Sequence, residues 1–495
     1  MIKESVRKYG DYSLEIKFKF RPKPNTRFRR FRKYKVDTYF FLPREMGVNR
    51  KNYTNKDFYR EINSYIKIDP IKIPFSELVK EEDELSQNLV NAFVNLVPDD
   101  EESIENLETL MKVYLNVIKK SIKRELRSIN KVGNKDEKIR LTERLLENLD
   151  KGTLFFRALN THIEEKNNNE IKKIYIIGNE YLSTVIIKYL YILFQYFEKA
   201  NKNSLLVKEH ITERINEEHS YRTQHGFPII VKKDFNKSNE KILYRWSVIY
   251  NYINNKLIIA TRFDKENKWL LQFYYSLAAG IAMIFATGIA FYYNSVYGNF
   301  TAKFFIVLVI SYMFKDRIKD WIKDLINFLL KKETYDHTIN IFNEKDQNIG
   351  LISQGFSFTP SRNLPKDIII ARQTNIENEI QDISLEKVMH YKSKAKIDAS
   401  KLYKMFRNIK IRGANDITYF NTSPLLMRME NPDTNIVFLN KNDELESFKS
   451  EKVYHINMIM KYEYLKETSI SKYRIILNRN GIKKVEKVIL SKSLK

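Results

Sequence analysis

WLLQFYYSLAAGIAMIFATGIAFYY, residues 269–293, is a run of 25 residues without a charged side chain. At about 1.5 Å of rise per residue, a helix of this length exceeds the roughly 30 Å hydrocarbon core of a bilayer. Aromatic side chains such as Trp269 and Tyr293 stand at its two ends, as they do at membrane interfaces. The run predicts a membrane-spanning helix, with a buried helix of a large soluble core as the alternative.

Residues 297–314 are the candidate return span. Only the stretch from Phe304 to Phe314 lacks charge, so Lys303 would have to extend its ammonium to the outer headgroups. Lysines and arginines flank the pair of segments on both sides, and the short link between them carries none. We therefore predict a two-helix transmembrane hairpin over 269–314 in a multi-pass protein of the bacterial inner (plasma) membrane, with both termini in the cytoplasm.

Small side chains recur along the first predicted span, where they would let another helix approach closely. They are Ala278, Gly280, Ala282, Ala286 and Ala290. Their partner could be the second span, the same helix of a homo-oligomer, or another membrane protein. The following segment, 315–332, is predicted to be an amphipathic helix that either lies on the inner headgroup surface or packs on the soluble domains.

The rest of the chain changes hydrophobic period twice. Residues 1–75 alternate like half-buried strands and form a basic strand-rich N-terminal segment, whereas residues 76–268 follow a helical period and form a cytoplasmic helical domain. Residues 333–495 return to alternation, including a tight turn at Asn480 and Gly481, and form a cytoplasmic mostly-β domain. The predicted fold class is an α+β membrane protein: a strand-rich N-terminal segment plus a helical bundle, a transmembrane hairpin and a C-terminal antiparallel mostly-β domain.

Three local features refine this prediction. The apolar segment 174–197 contains Glu180 and Lys188, each costly inside a bilayer, so we assign it to the centre of a soluble bundle. Gly152 is predicted to end a helix that starts near Lys138. Residues 367–371 are predicted to form one of the strands of the C-terminal domain.

Charge and composition limit the partners. The net charge of +25 favours anionic neighbours, and the absence of cysteine excludes disulfides and thiolate sites. The densest cations alternate with aromatic residues in one basic segment, which includes Arg27, Arg29, Arg30, Arg32, Lys33 and Lys35. We expect this segment to contact anionic headgroups on the cytoplasmic side of a lipid bilayer, or to be an exposed turn; nucleic acid is the least favoured partner.

No catalytic, cofactor or metal site is predicted. The sequence lacks a phosphate-loop motif, a dinucleotide-binding glycine motif, a zinc-protease motif and a nucleophile elbow. The leading hypothesis is a non-enzymatic, membrane-anchored scaffold or regulatory protein with two cytoplasmic domains. An oligomeric transport or channel component gated by its soluble domains is the first alternative, and a membrane-tethered enzyme is the second.

Overall fold

The computed structural model describes most of the chain in separate ranges. They are residues 3–20, 31–80, 82–98, 100–164, 168–197, 205–229, 236–255, 257–264, 269–298, 301–330, 335–342, 346–374, 386–405, 411–464 and 467–490. Within them, one large antiparallel sheet and a layer of helices make up most of the structure.

The sheet takes strands from both ends of the chain. Twelve described strands pair in the order β1-β2-β9-β4-β5-β6-β7-β8-β3-β12-β13-β14, and β10 and β11 form a separate ribbon. The strands are β1 Lys3–Tyr9, β2 Ser13–Phe20, β3 Phe31–Leu42, β4 Ile62–Pro70, β5 Ile258–Asp264, β6 His337–Phe342, β7 Asn348–Thr359, β8 Lys387–Asp398, β9 Ile411–Asn421, β10 Asp433–Leu439, β11 Leu445–Glu451, β12 Tyr454–Tyr464, β13 Glu467–Asn478 and β14 Gly481–Val488.

The sheet curls until its edge strands meet. The backbone N–H of Ile482 donates to the carbonyl of Asp11 at 2.7 Å, and Lys487 on β14 pairs with Glu4 on β1. On the concave face, the Tyr34 hydroxyl of β3 donates to Asp416 of β9 at 2.7 Å, although five strands separate β3 from β9 along the sheet. The curled sheet therefore encloses a core between strands that do not pair.

Buried and outward-facing side chains alternate along the strands that line this core. In β2, Leu14, Ile16, Phe18 and Phe20 are buried, and the intervening side chains face outward. Asp416 is a polar exception in the interior, and burial raises its pKa to about 6. Nearby, the Ser64 hydroxyl lies 3.0 Å from that of Thr418, so polar side chains in this part of the core partner one another.

The helical layer covers part of the outer face of the sheet. Its helices include α1 Asn55–Glu61, α2 Phe75–Leu78, α3 Glu84–Val94, α4 Glu101–Lys131, α5 Lys135–Ala158, α6 Thr161–Glu164, α7 Asn169–Tyr196, α8 Leu205–Gln224 and α9 Asn236–Asn255. Helix α4 is central: Asp100 caps its first turn by accepting from the N–H groups of Glu102 and Ser103. One apolar face, with Leu107, Met111 and others, is then buried against neighbouring helices.

Glu180 has a structural partner inside this layer, as expected for a bundle helix rather than a membrane span. Its carboxylate is fully buried in α7 and accepts two hydrogen bonds from Arg245 of α9, at 2.7 and 2.6 Å. The bidentate pair ties α9 to α7.

Two of the local predictions are wrong. Helix α5 continues through Gly152, because that glycine packs closely against Phe75 and Val79 and does not form a cap. Residues 367–371 lie in helix α12, Lys366–Gln373, which begins after Pro365. Ile368 and Ala371, three positions apart on one helical face, are buried in a small second core with Phe41, so tertiary packing overrides their strand propensity. The two remaining short helices are α13 Ala399–Met405 and α14 Ser423–Leu426.

Two long helices are inserted between the adjacent strands β5 and β6. Helix α10 spans Trp269–Tyr297 and helix α11 spans Ala302–Leu330. They pack side by side, with the Ser311 hydroxyl of α11 donating to the Ala286 carbonyl of α10 at 3.2 Å. Within the described residues, one segment, Gln272–Tyr297, is long and apolar enough to cross a membrane.

The predicted fold class is therefore wrong in two respects. Strands from residues 3–70 and 258–488 share one sheet, so there is no separate strand-rich N-terminal segment beside a C-terminal mostly-β domain. The two-helix transmembrane hairpin and the membrane-protein class built on it are not shown. Lys303 and the charges from Lys315 onward interrupt α11, which joins the predicted second span to the predicted amphipathic helix in one continuous helix.

Candidate functional site: a lysine cluster between sheet and helices

Two lysines project from the outer face of the sheet toward the helices. Lys17 of β2 and Lys67 of β4 alternate with buried core residues, so each stands on the side opposite the core. Strand β9 lies between them, and the register places Lys17 opposite Ile417 and Lys67 opposite Asn415. The two lysines are therefore near neighbours on one surface.

Helix α4 brings three more lysines to the same place. Lys119, Lys120 and Lys123 lie on the side of α4 that faces this part of the sheet, and Lys188 of α7 acts electrostatically on Lys119 and Lys123. We call Lys17, Lys67, Lys119, Lys120 and Lys123 the lysine cluster. Its members come from three segments that are distant in sequence.

Hydrogen bonds fix the two sides of the cluster relative to each other. The Lys120 ammonium reaches Asp69 of β4 at 3.1 Å, and the same carboxylate pairs with Lys19 of β2. The Lys67 ammonium donates to the side-chain carbonyl of Asn254 in α9 at 2.7 Å. These contacts hold the ammonium groups close together at one end of the space between sheet and helices.

The pKa values of the cluster lysines are lowered, because burial and neighbouring cations disfavour their charged forms. Burial, and after it the charges of Lys67, Lys188, Lys123 and Lys120, lower the pKa of Lys119 to about 7. For Lys67, burial and then Lys120 and Lys17 lower the pKa to about 8. The pKa values of the other three cluster lysines also lie below their ordinary value, with burial as the largest cause and neighbouring cations contributing.

Among the described residues, two carboxylates lie near the cluster, and both already have cationic partners. Glu15 is buried and accepts from Arg7 at 2.8 Å, while Asp69 is shared by Lys19 and Lys120. The cations therefore outnumber the acids, and their mutual repulsion is only partly compensated. An added anion with several oxygens would relieve it by accepting hydrogen bonds from the ammonium groups.

Tyrosine rings lie beside the cluster on the same outer face of the sheet. The rings of Tyr9 and Tyr419 are 4.6 Å apart and those of Tyr65 and Tyr419 are 6.0 Å apart. The Tyr419 hydroxyl donates to Glu15 at 3.0 Å. From the helical side, Tyr250 of α9 interacts electrostatically with Tyr65 and Tyr9. We call Tyr9, Tyr65 and Tyr419 the tyrosine row.

Tyr250 connects the two features. The Lys119 ammonium lies 4.0 Å from the centre of its ring, a cation–π contact. The aromatic and cationic surfaces are therefore continuous across the space between α9 and the sheet.

A separate cleft lies elsewhere in the helical layer. It has a volume of about 1170 Å³ and lies between α5 and α8. Its cations are matched by acids, since Arg157 pairs with Glu218 and Arg214 pairs with Asp150 and Glu217. This cleft therefore lacks the uncompensated charge that distinguishes the lysine cluster.

The predicted site residues lie apart from the cluster. In α10, Ala278 and Ala282 are fully buried and Ala286 contacts α11, whereas Gly280 is exposed. Ala290 is half-buried on the same helix. Ala278, Ala282 and Ala286 thus lie along the contact with α11, Gly280 does not, and the use of these residues by a further partner stays a prediction.

The basic segment is only partly within the described residues. Arg27, Arg29 and Arg30 lie outside them. Arg32 is buried in β3, Lys33 is exposed, and Lys35 pairs with Asp37 at 2.9 Å. Contact between this segment and anionic headgroups stays a prediction.

The sequence did not identify the lysine cluster. Lys119, Lys120 and Lys123 have an ordinary explanation there as cations in the C-terminal half of a helix, where they suit its dipole. Lys17 and Lys67 occupy the outward positions of alternating strands. A usable signal was the crowding of three lysines within five positions of α4, on a helix whose other faces are apolar.

The described ranges hold no group of three or more His, Cys, Asp or Glu side chains that could bind a metal ion. Comparison of the chain with protein-family models, with curated proteins and with solved structures gives no match.

Proposed function

We propose that this chain is a non-enzymatic, membrane-attached scaffold or regulatory protein that binds a phosphate-bearing ligand in the lysine cluster. The observation that carries the proposal is the convergence of five lysines from β2, β4 and α4 on a space with too few acids to balance them. Such clusters are costly for the fold, and a bound polyanion offsets that cost.

The position of the cluster favours a soluble ligand over a lipid headgroup. Lys67 pairs with Ile258 at the start of β5, six residues before the end of the strand that leads into α10. At about 3.3 Å per residue, this places the cluster roughly 20 Å from the end where α10 leaves the sheet. A headgroup in the bilayer that holds α10 would not reach it without a large bend.

Inorganic tripolyphosphate is a suitable probe for the test. We expect it to raise the melting temperature of the full chain in neutral lipid nanodiscs, because a ligand that binds only the folded state stabilises it. Sulfate at equal ionic strength controls for screening. A shift with nanodiscs of anionic phosphatidylglycerol but none with tripolyphosphate would assign the cluster to headgroups. No shift with either would contradict the proposal.

Membrane attachment is supported by the apolar surface of α10. Ile284 is 74% exposed and Phe291 is 73% exposed, and neighbouring apolar side chains are also uncovered. Continuous apolar surface of this extent is unusual on a soluble monomer. In the proposed arrangement the exposed apolar side chains of α10 contact the hydrocarbon of a bilayer.

The substitution Ile284→Asp tests this attachment. A carboxylate near the middle of an inserted helix costs about 2.5–3.5 kcal/mol, so we expect the variant to leave the membrane fraction more readily than wild type during flotation with liposomes. Leu154→Asp is the matched control, since Leu154 is 69% exposed but lies on α5. Wild-type protein that fails to float, or equal losses for both variants, would disprove attachment through α10.

A further inference from the structure

The tyrosine row and the lysine cluster together indicate what the phosphates are attached to. Lysines neutralise phosphate groups, whereas exposed tyrosine rings offer stacking surfaces to flat aromatic groups. The two features adjoin on one face of the sheet: Tyr65 and Lys67 are alternate residues of β4, and the ring of Tyr419 on β9 lies 6.0 Å from that of Tyr65. One ligand can therefore contact both.

Tyr9 is the ring most available for stacking. Its side chain is 55% exposed at the end of β1, and it contacts Tyr419. Tyr65 and Tyr419 are also joined by their hydroxyls at 3.5 Å, and Tyr419 is anchored by Glu15. The row is thus held in place before any ligand arrives, which lowers the entropy cost of stacking on it.

The distances suit a single nucleotide. On β9, Tyr419 and Asn415, the partner of Lys67, are four residues apart, or roughly 13 Å. This is comparable to the length from the base to the last phosphate of an extended nucleoside triphosphate. Beyond Lys67, the bonds from Lys120 to Asp69 and from Lys67 to Asn254 close the space between sheet and helices, so a longer strand would meet a barrier.

We infer that the ligand of the lysine cluster is a nucleotide, with its base on the tyrosine row and its phosphates among the lysines. The inference rests on the proposed function, because it assigns a base to a ligand whose phosphates bind there. The cluster lysines donate to the phosphate oxygens, and Tyr250, whose ring centre lies 4.0 Å from the Lys119 ammonium, adds an aromatic ring from the helical side.

The test compares adenosine triphosphate with inorganic tripolyphosphate in calorimetric titrations of the full chain, without divalent cations. We expect the nucleotide to bind at least about tenfold more tightly, the increment that stacking on one ring supplies. Tyr9→Ala should remove this increment and leave tripolyphosphate affinity unchanged, while Tyr9→Phe should keep it. Tyr12→Ala is the control, since Tyr12 is 47% exposed in the same hairpin.

The possible failures are distinguishable. Equal affinities for the two probes, or a Tyr9→Ala variant that weakens both equally, would overturn the nucleotide inference while leaving phosphate binding intact. A single-stranded oligonucleotide that binds more tightly than adenosine triphosphate would also overturn it. Absence of binding by both probes would contradict the proposed function itself.

Discussion

Replacing Lys67 and Lys119 together by methionine is expected to lower the affinity for tripolyphosphate by at least about 100-fold. A hydrogen bond to a charged group contributes about 1.5–3 kcal/mol, so two of them correspond to a factor of roughly 100 or more. Methionine keeps most of the apolar stem of each lysine, and the surrounding packing should change little. The affinity is measured by calorimetric titration.

The same double variant should be more stable than wild type without ligand. Both lysines have pKa values below the ordinary value, at about 8 and about 7, so the fold disfavours their charged forms. Below pH 7 both lysines are charged in the folded protein, and the loss of stability from burying their charges is at its full value. The loss disappears as the pH rises toward the ordinary lysine pKa, because in that interval the unfolded chain binds more protons than the folded protein. We expect the double variant to gain free energy of unfolding at pH 7, and the gain to shrink toward pH 10.

A variant that loses affinity for tripolyphosphate but gains stability indicates a binding site and not a cluster that stabilises the fold. If the two lysines only stabilised the fold, their replacement would lower the stability of the protein. Lys449→Met is the control, since Lys449 lies exposed on the β10–β11 ribbon, and it should change neither quantity. A double variant that loses stability and keeps its affinity for tripolyphosphate would contradict our account of the cluster.

The second large effect concerns the contact between α7 and α9. Arg245→Met should destabilise the protein by about 3 kcal/mol, because it leaves the Glu180 carboxylate buried without its bidentate partner. We place the effect at the lower end of the range for buried pairs because the Arg245 side chain is 53% exposed. Unfolding in urea can be followed through the fluorescence of the adjacent Trp246.

Glu180→Leu combined with Arg245→Met provides the matched control. An apolar pair of similar size should recover most of the lost stability, as replacements of buried ion pairs often do. Because α9 also carries Tyr250 and Asn254, Arg245→Met alone should weaken nucleotide binding as well. If Arg245→Met is as stable as wild type, the ion pair does not hold α9 in place.

Local patterns in the sequence predicted several elements but not their assembly. Alternation indicated strands in residues 1–75 and 333–495, and a helical period indicated helices in residues 76–268. The pairing of β9 between β2 and β4 was not predictable, because more than 400 residues separate Ser13 from its partner Asn421 and period alone does not choose partners. Domain boundaries inferred from changes in period therefore divided one continuous sheet.

The apolar run at 269–293 was the strongest signal in the sequence, and its interpretation was only partly right. Its length and composition are those of a crossing helix, as the segment Gln272–Tyr297 confirms. The second span depended on the position of one residue, Lys303, and composition does not fix how far a lysine can extend. The sequence also did not indicate that both helices insert between two neighbouring strands of one sheet.

The lysine cluster could not be predicted for a similar reason. Each lysine occupies a position that strand alternation or helix electrostatics explains by itself. Only the long-range approach of α4 to the outer face of β2 and β4 makes them neighbours, and that approach is determined by packing of the opposite, apolar faces. The cost of the cluster is visible in the pKa of Lys119, which depends on lysines 52 and 69 positions away.

Proton uptake on ligand binding is a direct test of a phosphate site in the lysine cluster. At pH 8, Lys119 and about half of Lys67 should be neutral in the free protein, and an anion among them should restore their charge. Calorimetric titration with tripolyphosphate in two buffers of different ionisation enthalpy should therefore show about one proton more taken up by the wild-type protein than by the Lys67→Met, Lys119→Met variant, because the difference cancels any proton that the ligand itself releases. Equal proton uptake by the two proteins would contradict a phosphate site in the lysine cluster.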